Sequence, residues 1–438
     1  MPTEHFSYRK EELTCESVPL RDAVSHFGTP LYLYSRATIL DRCREIEEAF
    51  GGHPHLACYA VKANANPALL GLIRGEGYGA DVGSRGELAL ALRAGFRPEV
   101  ITFSGVGKRD DEVEEALARG IHAFAVESEQ EIAVIDQIAG RMGTKGRILL
   151  RVNLDLDAGG HAYVSTSRKQ NKFGVPVQQA RDILLRASAR PHIEVRGVHS
   201  HIGSQITNRE VFVSGARSIE RLVRELREAG LRVPDLDFGG GYGVQYHGFL
   251  HERQLPDEHP ESADLSTAGM IRAVLPILAG TGCALSIQPG RAIVAQSGVL
   301  LVRVLYRKET GEKTFLIVDG GMNDLIRPSL YHAHHQIVPV SLRSAVHERV
   351  DVVGPVCESG DFFAQDRMLP RCDRGDLLAL MGAGAYGFVL ASNYNARLRP
   401  AEVLVDGSTM TLIRERETLE DLERGTVRAG KELTASQS

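Results

Sequence analysis

Short apolar runs alternate with amphipathic stretches from about residue 40 to residue 288, and this alternation constrains the fold more than any other feature of the chain. The runs are rich in β-branched and aromatic residues, which is typical of buried strands. They predict eight strands, near residues 56–61, 79–82, 100–104, 121–126, 148–153, 194–199, 235–238 and 284–288. Eight strand–helix units over roughly 240 residues match a (β/α)8 barrel of the TIM type in number and length. A doubly wound open sheet is the alternative, but eight consecutive units favour closure.

The stretches between the strands carry helix signals. One begins at Asp110 and repeats apolar residues at helical spacing. Another begins at Ser128, and Glu131 three residues later predicts a capping box. A third runs from about residue 208 to residue 229. These helices supply the outer layer that a parallel barrel needs.

The regular alternation of strands and helices ends after residue 288. Residues 299–306, 314–319 and 401–405 read as strands with few helices between them, which predicts a mostly antiparallel C-terminal β domain. Residues 31–34 are expected to add an N-terminal strand to it. The predicted division is an N-terminal segment at 1–38, the barrel at 39–288 and the β domain at 289–438. We expect a surface loop at 250–263 and a charged, helical tail after about Thr418.

Composition excludes several classes of protein. A formal net charge of −5 gives no reason to expect binding to nucleic acid or to an anionic membrane surface. The first residues are polar and lack a secretory apolar region, and no apolar stretch is long enough to span a membrane. The six cysteines are scattered without a Cys-x-x-Cys pair, so neither a metal site nor a disulfide framework is predicted. Together these features favour a cytoplasmic protein.

Lys62 ends the first predicted barrel strand. An apolar run leads to this lysine, and Asn66-Pro67 then opens a helix. Low-dielectric surroundings at the exit of a buried strand are expected to lower the pKa of the lysine, which favours an amine nucleophile. Most lysines at strand ends are only solvated. The residues at the other strand ends decide between these readings.

Barrel enzymes carry their chemistry at the carboxyl ends of the strands. Beside Lys62, the residues that the sequence places there are Asp81, His161, His199, His201, Ser204, Gly239, Gly240, Gly241, Gln288, Gly290 and Arg291. The glycine triplet follows strand seven, where barrels commonly bind phosphate, although a tight turn would also explain it. Arg291 could reach the same ligand or a carboxylate, and His201 could stack on a heteroaromatic ring. One of the two histidines at strand six could equally be a satisfied core residue.

An amine nucleophile, a phosphate cradle and a stacking ring are the requirements for binding pyridoxal 5′-phosphate. The aldehyde of this cofactor reacts with a lysine amine, its phosphate needs amide and hydroxyl donors, and its ring packs flat on a side chain. The sequence therefore predicts a pyridoxal-phosphate enzyme.

At this point the chain resembles the fold-type III, alanine-racemase-like pyridoxal-phosphate enzymes, and among them the diaminopimelate decarboxylase family. The matching segments run in collinear order over essentially the whole chain. They are YAVKAN (59–64), GADVGSRGEL (79–88), FSGVGK (103–108), NKFGV (171–175), HSHIGSQ (199–205), FGGGYG (238–243), MNDLIRPSLY (322–331), GPVCESGDFF (354–363), GAYG (384–387) and SNYNARLRPAEVLV (392–405). The MNDLIRP and CESGD motifs are specific to the decarboxylase branch.

The resemblance implies a role for each matching residue. Lys62 would form the imine with the cofactor, His201 would stack on its ring, and Cys357 would donate a proton from the partner subunit of a head-to-tail homodimer. The residues that would contact the cofactor are Asp81, His201, Ser204, Gly239, Gly240, Gly241, Gln288, Gly290, Arg291 and Tyr386. Those that would hold the substrate are Arg291, Arg327, Tyr331, Glu358 and Tyr386. Read without the family, Arg327 and Tyr331 would only share a helix face, Cys357 would be a buried apolar side chain, and Glu358 and Asp361 would be loop acids.

Gln288 departs from the family, which normally has glutamate at this position, facing the pyridine nitrogen. The charge of that glutamate keeps the nitrogen protonated, and a neutral amide cannot replace the charge. We therefore expect slower decarboxylation, by a few powers of ten for a few kcal/mol of lost stabilisation. Gln288 could be an introduced change, a tolerated natural variation or the mark of a paralogue. A smaller departure is Leu154, where the family more often has proline, and it has no expected catalytic consequence.

The leading functional hypothesis is decarboxylation of meso-2,6-diaminopimelate to L-lysine and CO2, the last step of lysine biosynthesis. A related decarboxylase that acts on another amino acid or on a carrier-bound substrate is the second. A catalytically weakened or regulatory homologue is the third, and intact Lys62, Cys357 and Arg327 argue against it. A racemase is a fourth, but the arginines fit a dicarboxylic substrate better.

Overall fold

The structure is a computed structural model, and it describes residues 5–155, 172–247, 250 and 266–426. His161, residues 251–263 of the loop expected at 250–263, and the last part of the charged tail lie outside the described residues.

The chain begins with a small antiparallel sheet. Its three strands pack beside the first helix, and a fourth strand then enters the large sheet of the second domain. These elements are β1 (Phe6–Arg9), β2 (Glu12–Cys15), β3 (Val18–Pro19), α1 (Leu20–Phe27) and β4 (Leu31–Ser35). The N-terminal segment therefore reaches the second domain through β4, as the sequence predicted.

Eight parallel strands close into a barrel. They are β5 (His55–Ala60), β6 (Gly79–Val82), β7 (Ile101–Phe103), β8 (Ala123–Val126), β9 (Gly146–Asn153), β11 (Ile193–Ser200), β12 (Asp235–Asp237) and β13 (Ala284–Ile287), with β10 (Val175–Pro176) pairing alongside β9. The last strand pairs with the first, with Leu285 opposite His55, so the sheet has no free edge. All eight predicted strands are confirmed. The open-sheet alternative is wrong.

Helices surround the barrel and join its strands. They are α2 (Arg36–Ala49), α3 (Pro67–Gly75), α4 (Arg85–Arg93), α5 (Asp110–Arg119), α6 (Glu129–Arg141), α7 (Val177–Ser188), α8 (Arg209–Glu228), α9 (Thr267–Ala279) and the short α10 (Arg291–Val294). The predicted start of α5 at Asp110 is confirmed. At α6 only half of the predicted capping box forms. Ser128 accepts from the Glu131 N–H, but the Glu131 carboxylate accepts from the Glu127 N–H and pairs with Lys108 instead.

The second domain is built on a sheet that is mostly antiparallel. Its remaining elements are β14 (Gly298–Glu309), β15 (Thr314–Val318), α11 (Arg327–Tyr331), β16 (Ile337–Pro339), β17 (His347–Val353), β18 (Phe362–Pro370), β19 (Leu377–Leu380), β20 (Ala401–Asp406), β21 (Thr409–Arg414) and α12 (Leu419–Glu423). The sheet order is β18-β17-β15-β14-β4-β20-β21, and only the β15–β17 and β4–β20 pairs are parallel. The fold class is therefore confirmed. The exact division at 38/39 and 288/289 stays a prediction.

The second domain is fixed against the carboxyl edge of the barrel. The Tyr386 N–H donates to the Ala63 carbonyl at 2.8 Å, and the Asn64 side chain donates to the Gly384 carbonyl at 3.1 Å. Deeper in the junction, buried Glu402 accepts from Tyr34 and from Asn66, which caps α3. Because these hydrogen bonds flank Lys62, they hold the domain junction beside the end of the first barrel strand.

Within the described part of the chain, no helix combines the length and the apolar character that crossing a membrane requires.

Candidate active site

Lys62 lies in a single 3₁₀ turn that follows β5 at the carboxyl edge of the barrel. Its amine is 3.8 Å from the carboxylate of Asp81, which is buried at the end of the neighbouring strand β6. Ser104, at the end of β7, donates to the other oxygen of Asp81. Three consecutive strand ends therefore converge on the lysine amine, and about half of the Lys62 side chain (51%) stays exposed at the mouth.

The expected low pKa of Lys62 is wrong for this structure. Burial does act to lower the pKa, but Asp81 and Tyr386 outweigh it and raise the pKa above its ordinary value. The sequence identifies the apolar strand that desolvates Lys62, but it does not give the distance between the Lys62 amine and the Asp81 carboxylate. Lys62 is thus a cation held by a counter-charge, and it must lose a proton before it can act as a nucleophile.

The two histidines at the end of β11 are in different environments. The His201 ring accepts from the Gly240 N–H through Nδ1 at 3.2 Å, and burial lowers the pKa of His201 well below its ordinary value. His201 is therefore a neutral ring fixed against the glycine triplet. His199 is almost fully buried (2% exposed) and lies within hydrogen-bonding distance of Gln288, so this histidine is the core residue of the pair.

The glycine triplet crosses other backbone segments at very short range. A Cβ on Gly239, Gly240 or Gly241 would lie 2.2–2.3 Å from the carbonyl oxygen of Ser200, Gln288 or Gly203, respectively. Gly239 and Gly241 also have positive φ, at 67° and 101°. Close packing alone therefore demands glycine at all three positions. Two of the amides already donate within the protein, Gly239 to Asp237 and Gly240 to His201.

Gln288 belongs to a buried polar chain beneath the mouth. Its amide nitrogen donates to Asp237 at 2.9 Å, and its oxygen lies 3.2 Å from His199 Nε2. An amide oxygen can only accept, so His199 donates through Nε2 and carries its lone pair on Nδ1. That Nδ1 is buried and has no hydrogen-bond partner among the described residues. Burial raises the pKa of Asp237 to about 7, and the Gly239 N–H and the Gln288 amide oppose the rise.

Two buried arginines lie on the side of the site that faces the second domain. Arg291 is the first residue of α10 and donates to Ser204 at 3.1 Å and to the hydroxyl of Tyr246 at 2.7 Å. Its guanidinium also lies 4.8 Å from the centre of the Tyr386 ring. Arg327 begins α11 and lies 4.6 Å from the centre of the Tyr246 ring. The Tyr386 N–H donates to the Ala63 carbonyl next to Lys62, so Tyr386 lies between Arg291 and the lysine.

These arginines have no acidic partner among the described residues, although both are at least nine-tenths buried. The Nε of Arg291 is also buried without a hydrogen-bond partner there. A buried charge that lacks a counter-charge costs several kcal/mol. Such an arrangement fits a site that binds an anion better than one that serves stability.

Tyr331 and Gly290 complete the surroundings of Arg291. Tyr331 ends α11 one turn after Arg327 and contributes to the electrostatic field at Arg291. Gly290 is wedged against the first strand end, since a Cβ on it would meet the Cβ atoms of Ala60 and Ala63 at 3.0 and 3.1 Å.

Cys357 and Glu358 stand apart from this cluster. They lie in the loop between β17 and β18, and both are exposed. Buried Asp361 anchors the loop by accepting from the Met322 and Val356 N–H groups, each at 2.6 Å. No hydrogen bond or ion pair joins Cys357 or Glu358 to Lys62 or to the two arginines in the described chain. The expectation that Cys357 is a buried apolar side chain is wrong, and Asp361 is a structural acid.

The site fits pyridoxal 5′-phosphate. The cofactor needs an accessible amine, which Lys62 offers, and a neutral flat ring, which His201 offers. Ser204 and the unpartnered Nε of Arg291 provide donors for an anionic group beside the glycine triplet. The buried, unpartnered His199 Nδ1 and the oriented amide of Gln288 line the region behind these residues.

Sequence reasoning missed Asp237, Tyr246 and His335. Asp237 ends β12 and could have been found by extending the strand-end argument to that strand. Tyr246 lies five residues beyond the glycine triplet, and His335 ends the run His332-Ala-His-His335. Tyr246 lies in the long loop after β12, beyond the strand end itself, and meets Arg327 across the two domains. His335 follows α11 and meets Arg327 within the second domain.

Comparisons with known proteins agree with this architecture. Residues 36–295 match the family model for the pyridoxal-binding domain of pyridoxal-dependent decarboxylases. A diaminopimelate decarboxylase of Pseudomonas aeruginosa is 47% identical over 420 residues, covering 96% of this chain and 98% of the relative. One from Aquifex aeolicus is 42% identical and covers 94% and 95%.

A solved structure extends the likeness to three dimensions. The diaminopimelate decarboxylase of Helicobacter pylori, in complex with L-lysine, superposes with a TM-score of 0.85 at 40% identity and covers 92% of this chain and 98% of that one. The matches span nearly the full length of the chain and include both domains. The chain therefore belongs to the diaminopimelate decarboxylase family of pyridoxal-phosphate-dependent decarboxylases.

Proposed function

We propose that the chain is a pyridoxal-phosphate-dependent carboxy-lyase that converts meso-2,6-diaminopimelate to L-lysine and CO2, the last step of lysine biosynthesis. The observation that carries the proposal is the pair of buried arginines without an acidic partner in the described chain, beside an accessible lysine. The Tyr386 ring lies 4.8 Å from the Arg291 guanidinium, and the Tyr386 N–H donates to the Ala63 carbonyl next to Lys62. A substrate with two amino-acid centres needs both features, one for each end.

One group of residues is assigned to the cofactor. When bound, pyridoxal 5′-phosphate accepts the electron pair that is released as the carboxylate leaves. Lys62 presents its amine to the aldehyde, and Asp81 holds the protonated lysine in place beforehand. His201 offers its neutral face to the ring. Ser204, Arg291 and the backbone at Gly239, Gly240, Gly241 and Gly290 would hold the phosphate.

A second group is assigned to the substrate. Arg291 and Arg327 bind the carboxylate of the centre that does not react, because guanidinium groups form paired, charge-assisted hydrogen bonds with a carboxylate. Tyr331 and Tyr386 border the same space. Glu358, an exposed acid on the anchored loop, is assigned to the ammonium group of that centre.

Cys357 supplies the proton that replaces the carboxylate. Its Sγ donates to the carbon that has lost CO2. Since Cys357 is exposed in one chain and no hydrogen bond joins it to Lys62 among the described residues, we assign it to the active site of a second subunit in a homodimer with shared sites. The rigid attachment of its loop through Asp361 supports this assignment, because a proton donor must hold a fixed position across an interface.

Gln288 modifies the reaction without removing it. Its amide donates to Asp237 at 2.9 Å and would face the cofactor nitrogen in place of the usual glutamate. With Asp237 behind the amide, a carboxyl group would remain close to that nitrogen even though residue 288 is neutral. We therefore expect a slower enzyme, and the related decarboxylase or regulatory homologue is not needed to explain this residue.

We also propose a cytoplasmic location. All six cysteines are free, including exposed Cys357, and a thiol that donates protons must stay reduced.

The test is CO2 release by the purified protein loaded with cofactor. The substrates are meso-2,6-diaminopimelate and three amino acids with a single carboxylate: lysine, ornithine and arginine. We expect a kcat/KM for diaminopimelate at least about 100-fold above the others, because the others lack the distal carboxylate that Arg291 and Arg327 are proposed to bind. Chromatography should show lysine and CO2 in equal amounts. If neither the chain nor its Gln288→Glu variant releases CO2 from diaminopimelate, the proposed function is wrong.

A further inference from the structure

Arg291 and Arg327 share one aromatic ring, that of Tyr246. The Arg327 guanidinium carbon lies 4.6 Å from the ring centre and that of Arg291 lies 5.9 Å away. The Tyr246 hydroxyl accepts from Arg291 at 2.7 Å. The ring is buried (7% exposed), so it can hold the two like charges in a fixed relation.

His335 is the second support. The distance between Arg327 Nη1 and His335 Nε2 is 2.8 Å, and a guanidinium can only donate, so His335 Nε2 accepts. On the other side of the ring, Nδ1 lies 2.8 Å from the Met381 carbonyl, which can only accept, so Nδ1 carries the proton. These two contacts fix His335 as a neutral imidazole in one tautomer. Burial and the charge of Arg327 lower the pKa of His335 well below its ordinary value, which agrees with the geometry.

Tyr246 and His335 also support each other. Their rings meet edge to face, with centres 5.3 Å apart and planes at 71°. Burial raises the pKa of Tyr246, and Arg291 and Arg327 more than offset this rise. Neither partner of the arginines is a carboxylate. A structural arginine at this depth would ordinarily be paired with an acid, as Arg151 is with Glu127 at 2.8 Å in the same barrel.

We propose that Tyr246 and His335 are positioning residues that hold Arg291 and Arg327 in place without neutralising them, and thereby set the preference for a substrate that carries a second carboxylate. The inference rests on the proposed function for the identity of that substrate. Its physical basis is preorganisation: hydrogen-bond acceptors without a full negative charge fix the guanidinium groups, and the electrostatic attraction for an incoming carboxylate is retained.

Two substitutions at His335 distinguish the effect of holding Arg327 in place from the effect of a negative charge beside it. His335→Gln keeps an uncharged acceptor for Arg327 and a donor for the Met381 carbonyl. His335→Glu keeps an acceptor but adds the negative charge that the native site avoids. We expect His335→Gln to bind a dicarboxylate within about threefold of the unsubstituted protein, and His335→Glu to lose about 100-fold or more. Tyr246→Phe, which keeps the ring and loses the hydroxyl, should lose about tenfold.

The probe is pimelate, the seven-carbon dicarboxylate without amino groups, titrated calorimetrically into the cofactor-loaded protein. Pimelate cannot react, so its affinity reports the arginines independently of catalysis. In parallel, kinetics with diaminopimelate should show Tyr246→Phe raising KM while kcat changes less than about threefold. The preference for diaminopimelate over lysine should fall by the same factor as the pimelate affinity.

Several results would overturn the inference. It fails if His335→Glu binds pimelate as tightly as His335→Gln does, or if Tyr246→Phe lowers kcat and leaves both KM and pimelate affinity unchanged. Should His335→Glu not fold, Tyr246→Phe and His335→Gln still decide the matter through pimelate binding. Loss of CO2 release by the unsubstituted protein would instead refute the proposed function. That result would leave the calorimetric comparison intact as a test of the arginine pair.

Discussion

The two halves of the site are held in opposite ways. On the barrel side, Lys62 is enclosed by contacts within one chain, through Asp81, the turn after β5 and the Tyr386 backbone. On the other side, Cys357 sits on a loop that Asp361 fixes firmly, yet the cysteine itself is exposed and joined to nothing in the cluster among the described residues. The proposed homodimer accounts for this contrast. In it, one chain would complete the cofactor half and a second chain would complete the proton-donating half.

The largest effect should come from removing the amine of the barrel half. Lys62→Ala is expected to abolish the visible absorption of the bound cofactor and to lower kcat by about 10⁴-fold or more, because it removes the amine that lies beside Asp81 at the carboxyl edge of the barrel. Absorption spectra and CO2 release measure the two effects. Lys145→Ala is the matched control, since this exposed lysine precedes β9 at the opposite edge of the barrel. If the cofactor that borohydride reduction fixes to the protein maps to another peptide, the assignment of Lys62 is contradicted.

The next effect concerns the exposed half. Cys357→Ala should retain the cofactor band but lower kcat by about 10²- to 10⁴-fold, as expected for loss of a general acid. Cys372→Ala removes a buried thiol of the same domain and should change stability rather than kcat. The sharper test mixes Lys62→Ala with Cys357→Ala under conditions that exchange subunits. Half of the dimers then carry both substitutions, with one intact site each, so about a quarter of the activity should return. If no activity returns, each chain supplies its own proton donor.

The sequence predicted the barrel well because the barrel depends on local periodicity. Each strand is a short apolar run, and each run ends where the parallel arrangement requires a polar residue. For this reason the sequence alone places Lys62, Asp81, His201 and the glycine triplet at one edge of the barrel. The glycines illustrate the limit of that reasoning, since contacts with the Ser200, Gln288 and Gly203 carbonyls demand them whatever they bind.

Features that depend on distant contacts could not be read from the chain. The pKa of Lys62 was predicted in the wrong direction because the burial of a strand end is a local property, whereas its distance from Asp81 is not. Tyr246 and His335 come from two loops that approach each other only after the second domain packs on the barrel. Their importance lies in contacts with Arg291 and Arg327 that no periodicity or spacing encodes.

A moderate effect on kcat is expected from Gln288→Glu, which changes a buried residue on the barrel side of the site. The new carboxylate would lie beside Asp237, now 2.9 Å from the amide, and two carboxyl groups at that distance share one proton. The substitution therefore moves a negative charge toward the cofactor nitrogen rather than adding one. We expect kcat to rise by about ten- to 100-fold, less than the few powers of ten inferred from the sequence alone. Gln288→Leu, which removes the hydrogen bond as well, should lower kcat. An unchanged kcat for the glutamate variant would show that Asp237 already supplies the full effect.

The smallest effect is on stability, and it compares a buried acid from each domain. Asp237 in the barrel and Asp324 in the second domain are both fully or almost fully buried, and burial raises the pKa of each to about 7. The unfolded chain has ordinary carboxyl pKa values near 4, so the folded state binds these two protons more tightly. Their contribution to stability is therefore fully present below pH about 4 and is lost as the pH rises through about 7. Asp237→Asn and Asp324→Asn should each reduce this loss, by about 1 to 4 kcal/mol between pH 4 and pH 8.

Urea unfolding followed by circular dichroism at several pH values measures these differences, with Asp421→Asn as the control. Asp421 is a partly exposed acid whose pKa is lowered by hydrogen bonds from Thr418, so its substitution should not reduce the loss of stability between pH 4 and pH 8. One informative result is a free energy of unfolding that depends less on pH in Asp237→Asn and is unchanged in its pH dependence in Asp324→Asn. That result would show that the titrating carboxyl group is Asp237, in the polar chain beneath the cofactor. If neither substitution changes the pH dependence of the free energy of unfolding, the two carboxyl groups are ionised in the folded protein at neutral pH. In that case Asp237 would be the source of the negative charge behind Gln288 at neutral pH.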